Sequence, residues 1–158
     1  MSVSYFIPDL APEDLHRCEE IVRRSRFIVS LAHTPTPEAA KSFIERIKQE
    51  FPDATHNCWA YAAGAPGQTS KVGYSDDGEP HGTAGMPILE VLKSKKLFQT
   101  AVVVTRYFGG IKLGTGGLVR AYQGMVKLGL ETLPTREHMI PARVEVVLDY
   151  PHITVFRR

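Results

Sequence analysis

The stretch AVVVTRYFGGIKLGTGGLVRAY, Ala101–Tyr122, constrains the fold more than any other part of the chain. It opens with an unbroken apolar run, which predicts a strand buried on both faces inside a sheet. Five of the chain's 13 glycines then fall within Gly109–Gly117. Beyond them a helix is predicted from about Gly116 to Leu133, closed by Pro134. Val119, Tyr122, Val126, Leu130 and Leu133 make its apolar face, and Arg120, Gln123, Lys127 and Glu131 its polar one. A buried strand, a glycine-rich turn and an amphipathic helix together specify a layered domain with helices packed on a sheet.

The remaining segments fit that layering. Ser25–His33 alternates, with Phe27, Val29 and Leu31 on one face, as a half-buried strand does. Thr36 and Pro37 supply an N-cap and a first-turn proline. The helix they open carries Ala39, Ala40, Phe43, Ile44 and Ile47 as its stripe and stops before Pro52. His56–Gly64 reads as a strand, and a short strand and a long polar loop lie within Lys71–Gly85. Met86–Lys96 is helical, with three lysines near its end, where the helix dipole favours them. The order predicts an α/β (α+β) domain, a mixed sheet with helices packed on it, over residues 1–134. A composition shift marks residues 135–142 as a linker. Residues 143–158 read as the start of a second, incomplete domain, whose strand Val144–Leu148 is expected to lack a partner.

Composition excludes several classes of function. A net charge of +2 does not argue for nucleic acid by itself, so that case rests on local clustering. The two cysteines, Cys18 and Cys58, form neither a metal-binding pattern nor a disulfide framework. No apolar run is long enough to span a membrane, and the N-terminus carries no signal pattern. The expectation is a cytoplasmic protein with reduced thiols and no membrane partner.

Two loops carry the candidate chemistry. After a buried strand, glycines that open a helix leave backbone N–H groups free to face an anion, and the helix dipole adds positive potential. Arg106, Tyr107, Lys112, Gly114, Thr115, Gly116, Gly117 and Arg120 are the candidates for binding phosphate or nucleic acid. The spacing is not a P-loop, because Thr115 rather than Lys follows Gly114, and Val119 replaces the last glycine of GxGxxG. The alternative is that these glycines only allow tight turns and close packing. The second loop gathers Asp76, Asp77, Glu79, His81 and Thr83. It suits a hard cation or acid–base work, or merely turn and helix-capping chemistry and ion pairs with Arg106 or Arg120. His56 and Cys58 share a strand face but are spaced too far along it for a nucleophile pair. They are expected to be a hydrogen-bonded histidine and a buried cysteine. Trp59 and Tyr61 share the other face, expected as core, with a base-stacking surface as the alternative. No catalytic residue and no metal ligand set emerges.

The stretches KSFIERIKQEFPDATHNCWAY, SDDGEPHGTAGMPIL and VVVTRYFGGIKLGTGGLVRAY strongly resemble the YigZ/IMPACT family, in order and spacing, from about Arg24 to Leu133. His81 and Met86 depart from the residues common there. The resemblance implies a first domain like domain 2 of ribosomal protein S5, a fold shared with an elongation-factor domain and with small-molecule kinases. It also implies a ferredoxin-like second domain, of which 143–158 is only the start. Eukaryotic relatives are linked to control of translation initiation, through an activity that also involves a domain this chain lacks. A peptidase label sometimes attached to bacterial members finds no support in these residues.

Three functions follow as expectations. The first is a translation-associated protein that binds RNA or the ribosome through the glycine-rich basic loop, with Lys127 adding charge and Tyr107 and Phe108 stacking on bases. The second is an enzyme acting on a phosphorylated small molecule, the one case in which Mg²⁺ would serve as a cofactor. The third is a purely structural pairing of the two loops, with a protein as the real partner. The first is preferred, and with it no cofactor and no catalysis.

Overall fold

A computed structural model describes residues 3–140, 144–148 and 153–157. A five-stranded sheet in the order β2-β3-β6-β4-β5 organises the chain. Its strands are β2 (His16–Val22), β3 (Ser25–His33), β4 (His56–Ala62), β5 (Val72–Ser75) and β6 (Thr100–Tyr107). Helix α1 (Pro37–Glu50) packs on β4 and β6 from one side. From the other side α2 (Gly85–Ser94) covers β4 and β5, and α3 (Gly114–Thr132) covers β2, β3 and β6. The expected α+β architecture is present. The sheet was expected to be mixed, but its ladders are antiparallel throughout.

The period of two explains how one sheet serves two cores. Phe27, Val29, Leu31, Cys58, Val102 and Val104 face α2 and α3. Ala32, Tyr61, Ala101 and Val103 face α1. Central strand β6 is covered on both sides, which is why its apolar run is unbroken. Each Leu, Ile or Phe so buried contributes roughly 1.5–3 kcal/mol. Helix α1 begins as its caps predict, with the Thr36 hydroxyl accepting from Ala39 N at 3.1 Å.

Helix α3 differs from its expected face by one position. Leu118, Ala121, Tyr122, Met125, Val126 and Gly129 are buried, while Val119 and Leu130 are only half-buried. Gly129 decides this. A Cβ there would lie 2.9 Å from Leu31 Cδ1 and 3.2 Å from Val29 Cγ1, so any side chain at this position would require Leu31 and Val29 to shift.

Two N-terminal strands were not anticipated. Edge strand β2 pairs with β3 through a two-residue turn, Arg23–Arg24, both with positive φ (47° and 71°). That turn geometry normally takes Asn-Gly, and left-handed backbone costs other residues roughly 1–2 kcal/mol each. β1 (Val3–Pro8) pairs with β7 (Thr135–Ile140) in a separate two-stranded sheet. Most of the segment read as a linker is therefore a strand. Its charges sit on a ribbon that is largely exposed, so it never shows an alternating apolar pattern. β8 (Val144–Leu148) does not stand alone either, because it pairs with β9 (Ile153–Arg157). Of the stretch expected to begin a second domain, residues 143, 149–152 and 158 lie outside the described residues.

Candidate functional site

The carboxyl-terminal end of β6, the polar loop before α2 and the start of α3 meet at one place. β6 directs Arg106 inward and β4 directs His56 and Cys58 to the same side, while the loop delivers Glu79 and α3 delivers Tyr122. Arg106 Nη1 donates to Glu79 Oε2 at 2.8 Å and to Oε1 at 3.1 Å, and its Nε donates to Ser25 Oγ at 3.2 Å. The Tyr122 hydroxyl donates to Glu79 Oε2 at 2.5 Å. His56 Nδ1 donates to the Asp77 carbonyl at 2.8 Å, and its Nε2 lies 3.3 Å from Glu79 Oε1. With Nδ1 donating, Nε2 brings a second proton to Glu79 only as imidazolium. The ion pair is almost fully enclosed, its two side chains being 5% and 3% exposed.

Above this network lies a cleft of about 400 Å³. His56, Glu79 and Arg106 form its floor, and Phe108, Lys112, Gly114 and Thr115 line its glycine-loop side. Lys112, Gly114, Thr115, Gly116 and Arg120 are exposed, and Gly117 is half-buried. No side chain caps the first turn of α3. Gly110 and Gly114 take φ of 91° and 75°, which accounts for glycine at those two positions.

The candidates therefore divide. Arg106 is not a surface cation: it is spent on Glu79 and Ser25, and its guanidinium also packs 5.4 Å from the Phe108 ring centre. Tyr107 turns away from the cleft. Its hydroxyl donates to Asp53 at 2.8 Å and Arg26 covers its ring. Phe108, 46% exposed, is the aromatic beside the cleft. Arg120 lies across the helix in a second cleft with Arg23, Glu20 and Gly117. Lys127 lines a third with Phe6 and Lys95.

The acidic loop is mostly architecture. Asp76 accepts from Gly82, Ala84 and Gly85 amides at 2.9, 3.1 and 2.8 Å and so caps α2. Partial burial raises its carboxyl, but the three amides outweigh that and hold it below the ordinary value. Asp77 accepts from Asn57 N at 2.7 Å, in left-handed backbone at φ 41°. Thr83 donates to the Pro80 carbonyl at 2.6 Å, and His81 is fully exposed beside Asp76. Among the described residues no three acidic, histidine or cysteine side chains are grouped to hold a metal ion. Glu79 is the acid that reaches the cleft. No sequence signal distinguishes it from Asp76 and Asp77 except the proline that follows it.

Cys58 and His56 do not pair. The single Cys58 S–H proton has two acceptors in reach, the Asp76 carbonyl at 3.0 Å and Tyr122 Oη at 3.4 Å. Burial pushes it far above the ordinary thiol range, against the pull of the Tyr122 hydrogen bond. Both cysteines are free, and Cys18 is half-buried. Iodoacetamide at neutral pH is therefore expected to alkylate native protein at Cys18 alone and at both sites after denaturation. Peptide mass spectrometry reads this, and rapid native labelling of Cys58 would show that the network opens in solution.

Comparison with known proteins places these features. The Impact N-terminal domain family matches residues 23–130. The chain is 47% identical over 135 residues to IMPACT family member YigZ of Escherichia coli, covering 85% of this chain and 66% of that protein. It is 46% identical over 147 residues to IMPACT family member YvyE of Bacillus subtilis, covering 93% and 65%. The chain thus spans about two thirds of these relatives' length. Human Protein IMPACT is 32% identical over 111 residues, 68% of this chain and 34% of that one. A crystal structure of a hypothetical protein, 46% identical, superposes with a TM-score of 0.79 over 90% of this chain and 66% of its own. The two-domain translational regulator Yih1 shares the fold at 22% identity and a TM-score of 0.50, over 77% of this chain and 49% of that one. No helix among the described residues is long and apolar enough to cross a membrane.

Proposed function

The chain belongs to the Impact N-terminal domain family, and from that membership we propose that it is a translation-associated binding protein that takes RNA at the start of α3. Kinship with proteins named as IMPACT family members, and a fold shared with a protein named as a translational regulator, support the translation context. The observation that carries the RNA reading is the cleft beside the uncapped first turn of α3, with Lys112 and Thr115 exposed on its wall. Free N–H groups and a cation attract phosphate oxygens, and the exposed Phe108 ring offers a base a stacking face. Arg106 serves from below, neutralising Glu79 so that the cleft floor does not repel an anion.

Fluorescence anisotropy with a labelled single-stranded RNA across a salt series tests this. Binding should weaken steeply with salt, and Lys112→Ala should reduce the log–log slope by about 0.7, the value for one lost phosphate contact on a single strand. A flat salt response, or no binding at low salt, overturns the reading.

One observation favours a second reading, an enzyme acting on a phosphorylated small molecule. A cleft of about 400 Å³ falls within the roughly 300–1,000 Å³ of small-molecule sites, and His56 and Glu79 lie at its base. Mg²⁺ would then arrive with the substrate's phosphate, since Asp76 and Asp77 already hold backbone amides. A thermal-shift panel of nucleotides and sugar phosphates, with and without Mg²⁺, separates the two. A ligand at a hundred times its Kd adds about 2.7 kcal/mol, and a panel without any shift removes this alternative.

A further inference from the structure

Most arginines of this domain are already engaged. Arg17 pairs with Glu50, Arg26 with Glu19, Arg106 with Glu79 and Arg136 with Asp9, and Arg46 donates to the Glu13 carbonyl. Among the described residues Arg23, Arg24 and Arg120 have no such partner, and all three are exposed. Arg23 and Arg120 line one cleft, and Arg24 stands beside Arg23 in the hairpin turn at its edge. Arg24 rests its backbone on Gly109 so tightly that a Cβ there would meet its carbonyl oxygen. Glu20 lines the same cleft, and among the described residues no ion pair joins it to Arg23 or Arg120. Leu113 is the wall this cleft shares with the one that holds Lys112.

We infer that Arg23, Arg24 and Arg120 form a second phosphate cradle, so that the ligand is a polynucleotide crossing the start of α3 with phosphates seated on both sides of Leu113. The inference rests on the RNA reading above and adds what that reading lacks, namely why the ligand is a polymer. A single phosphate cannot occupy both clefts, whereas the phosphates of one strand can be shared between them. The hairpin turn supports this. Two arginines hold a left-handed turn that Asn-Gly fits better, which places a pair of cations at a tip that folding alone would not fill with them.

That strain supplies the test. Arg23→Asn/Arg24→Gly relaxes the turn and removes two charges, so thermal stability and RNA affinity should move in opposite directions. With a fluorescein-labelled oligouridylate of about a dozen nucleotides, the double variant should melt at or above the wild type. Its log–log salt slope should fall by about 1.4, on the order of tenfold weaker binding at physiological salt. An unchanged slope in a stable double variant overturns the cradle. If the double variant melts lower, Arg120→Gln decides instead: a slope reduced by about 0.7 supports the cradle, and an unchanged slope overturns it. The two readings fail separately. If wild type and Lys112→Ala behave as expected while the arginine variants match wild type, only the cradle falls. If the wild type binds no RNA, both fall.

Discussion

Glu79→Ala should lower the stability of this domain by about 3–5 kcal/mol, or a melting point lower by roughly ten degrees for a chain of this size. The reason is what remains behind. Arg106 would stay enclosed between β3, β6 and the polar loop with its Nη1 donor unanswered, and Tyr122 would lose the acceptor of its hydroxyl. A buried guanidinium cannot lose its proton to escape the penalty, so the chain must admit water or open locally. Glu79→Gln keeps the shape and one acceptor for Tyr122, yet still leaves the cation uncompensated, and should fall between wild type and Glu79→Ala. The double variant Glu79→Leu/Arg106→Met removes both charges together and should melt above either single variant, since replacing a buried pair by apolar groups of similar volume is often neutral. Calorimetric or fluorescence melts of these proteins, with Glu79→Leu and Arg106→Met added as the matching single variants, close the cycle. A Glu79→Ala protein as stable as wild type would mean that the pair is solvated and that Arg106 is available to a ligand after all.

That cycle bears on function because Arg106 was the cation that the sequence most strongly offered to an anion. Its place after a buried strand and before the glycines made it look like part of a binding loop. What decides its role is Glu79, 27 residues away, in a loop whose acids all look alike along the chain. Linear reading allows the acidic loop to pair with Arg106 or Arg120, but does not say which acid meets which arginine. The same limit applies to β1, β2 and β7. Their pairing partners are remote or sit at an edge, and their charged residues do not alternate cleanly. In contrast, β6 and α1 were legible because local chemistry specifies them: an apolar run long enough for a doubly covered strand, and a Thr-Pro start with an apolar stripe. The buried α3 face lies one position from the apolar stripe because it includes Ala121 and Gly129, small residues that count little as apolar, and Gly129 approaches β3 closely. Lys112 and Thr115 line the cleft and are exposed, whereas nothing local marks the Arg23–Arg24 turn as lying against the glycine loop.

Gly109→Ala should be the most damaging single methyl group in the glycine cluster. Its φ is not positive, so the backbone itself would accept alanine. Space is what forbids it, because the new Cβ would lie 1.9 Å from Arg24 O and 2.2 Å from Arg24 C. Those atoms belong to a backbone turn and cannot swing aside as a side-chain tip can. The hairpin must move off the loop, at a cost above the roughly 1–3 kcal/mol of ordinary overpacking. Gly124→Ala is the control. It places the same methyl group on an exposed helical position with nothing within 4 Å, and should stabilise by about 0.5–1 kcal/mol. Opposite signs for one chemical change, read in parallel melts, would establish that the hairpin tip is seated on the glycine loop. RNA affinity then adds a second reading of the same contact, because a displaced tip carries Arg23 and Arg24 away from Arg120. A Gly109→Ala protein that melts like wild type would detach the hairpin from the loop, and with it the shared surface on which the second cradle depends.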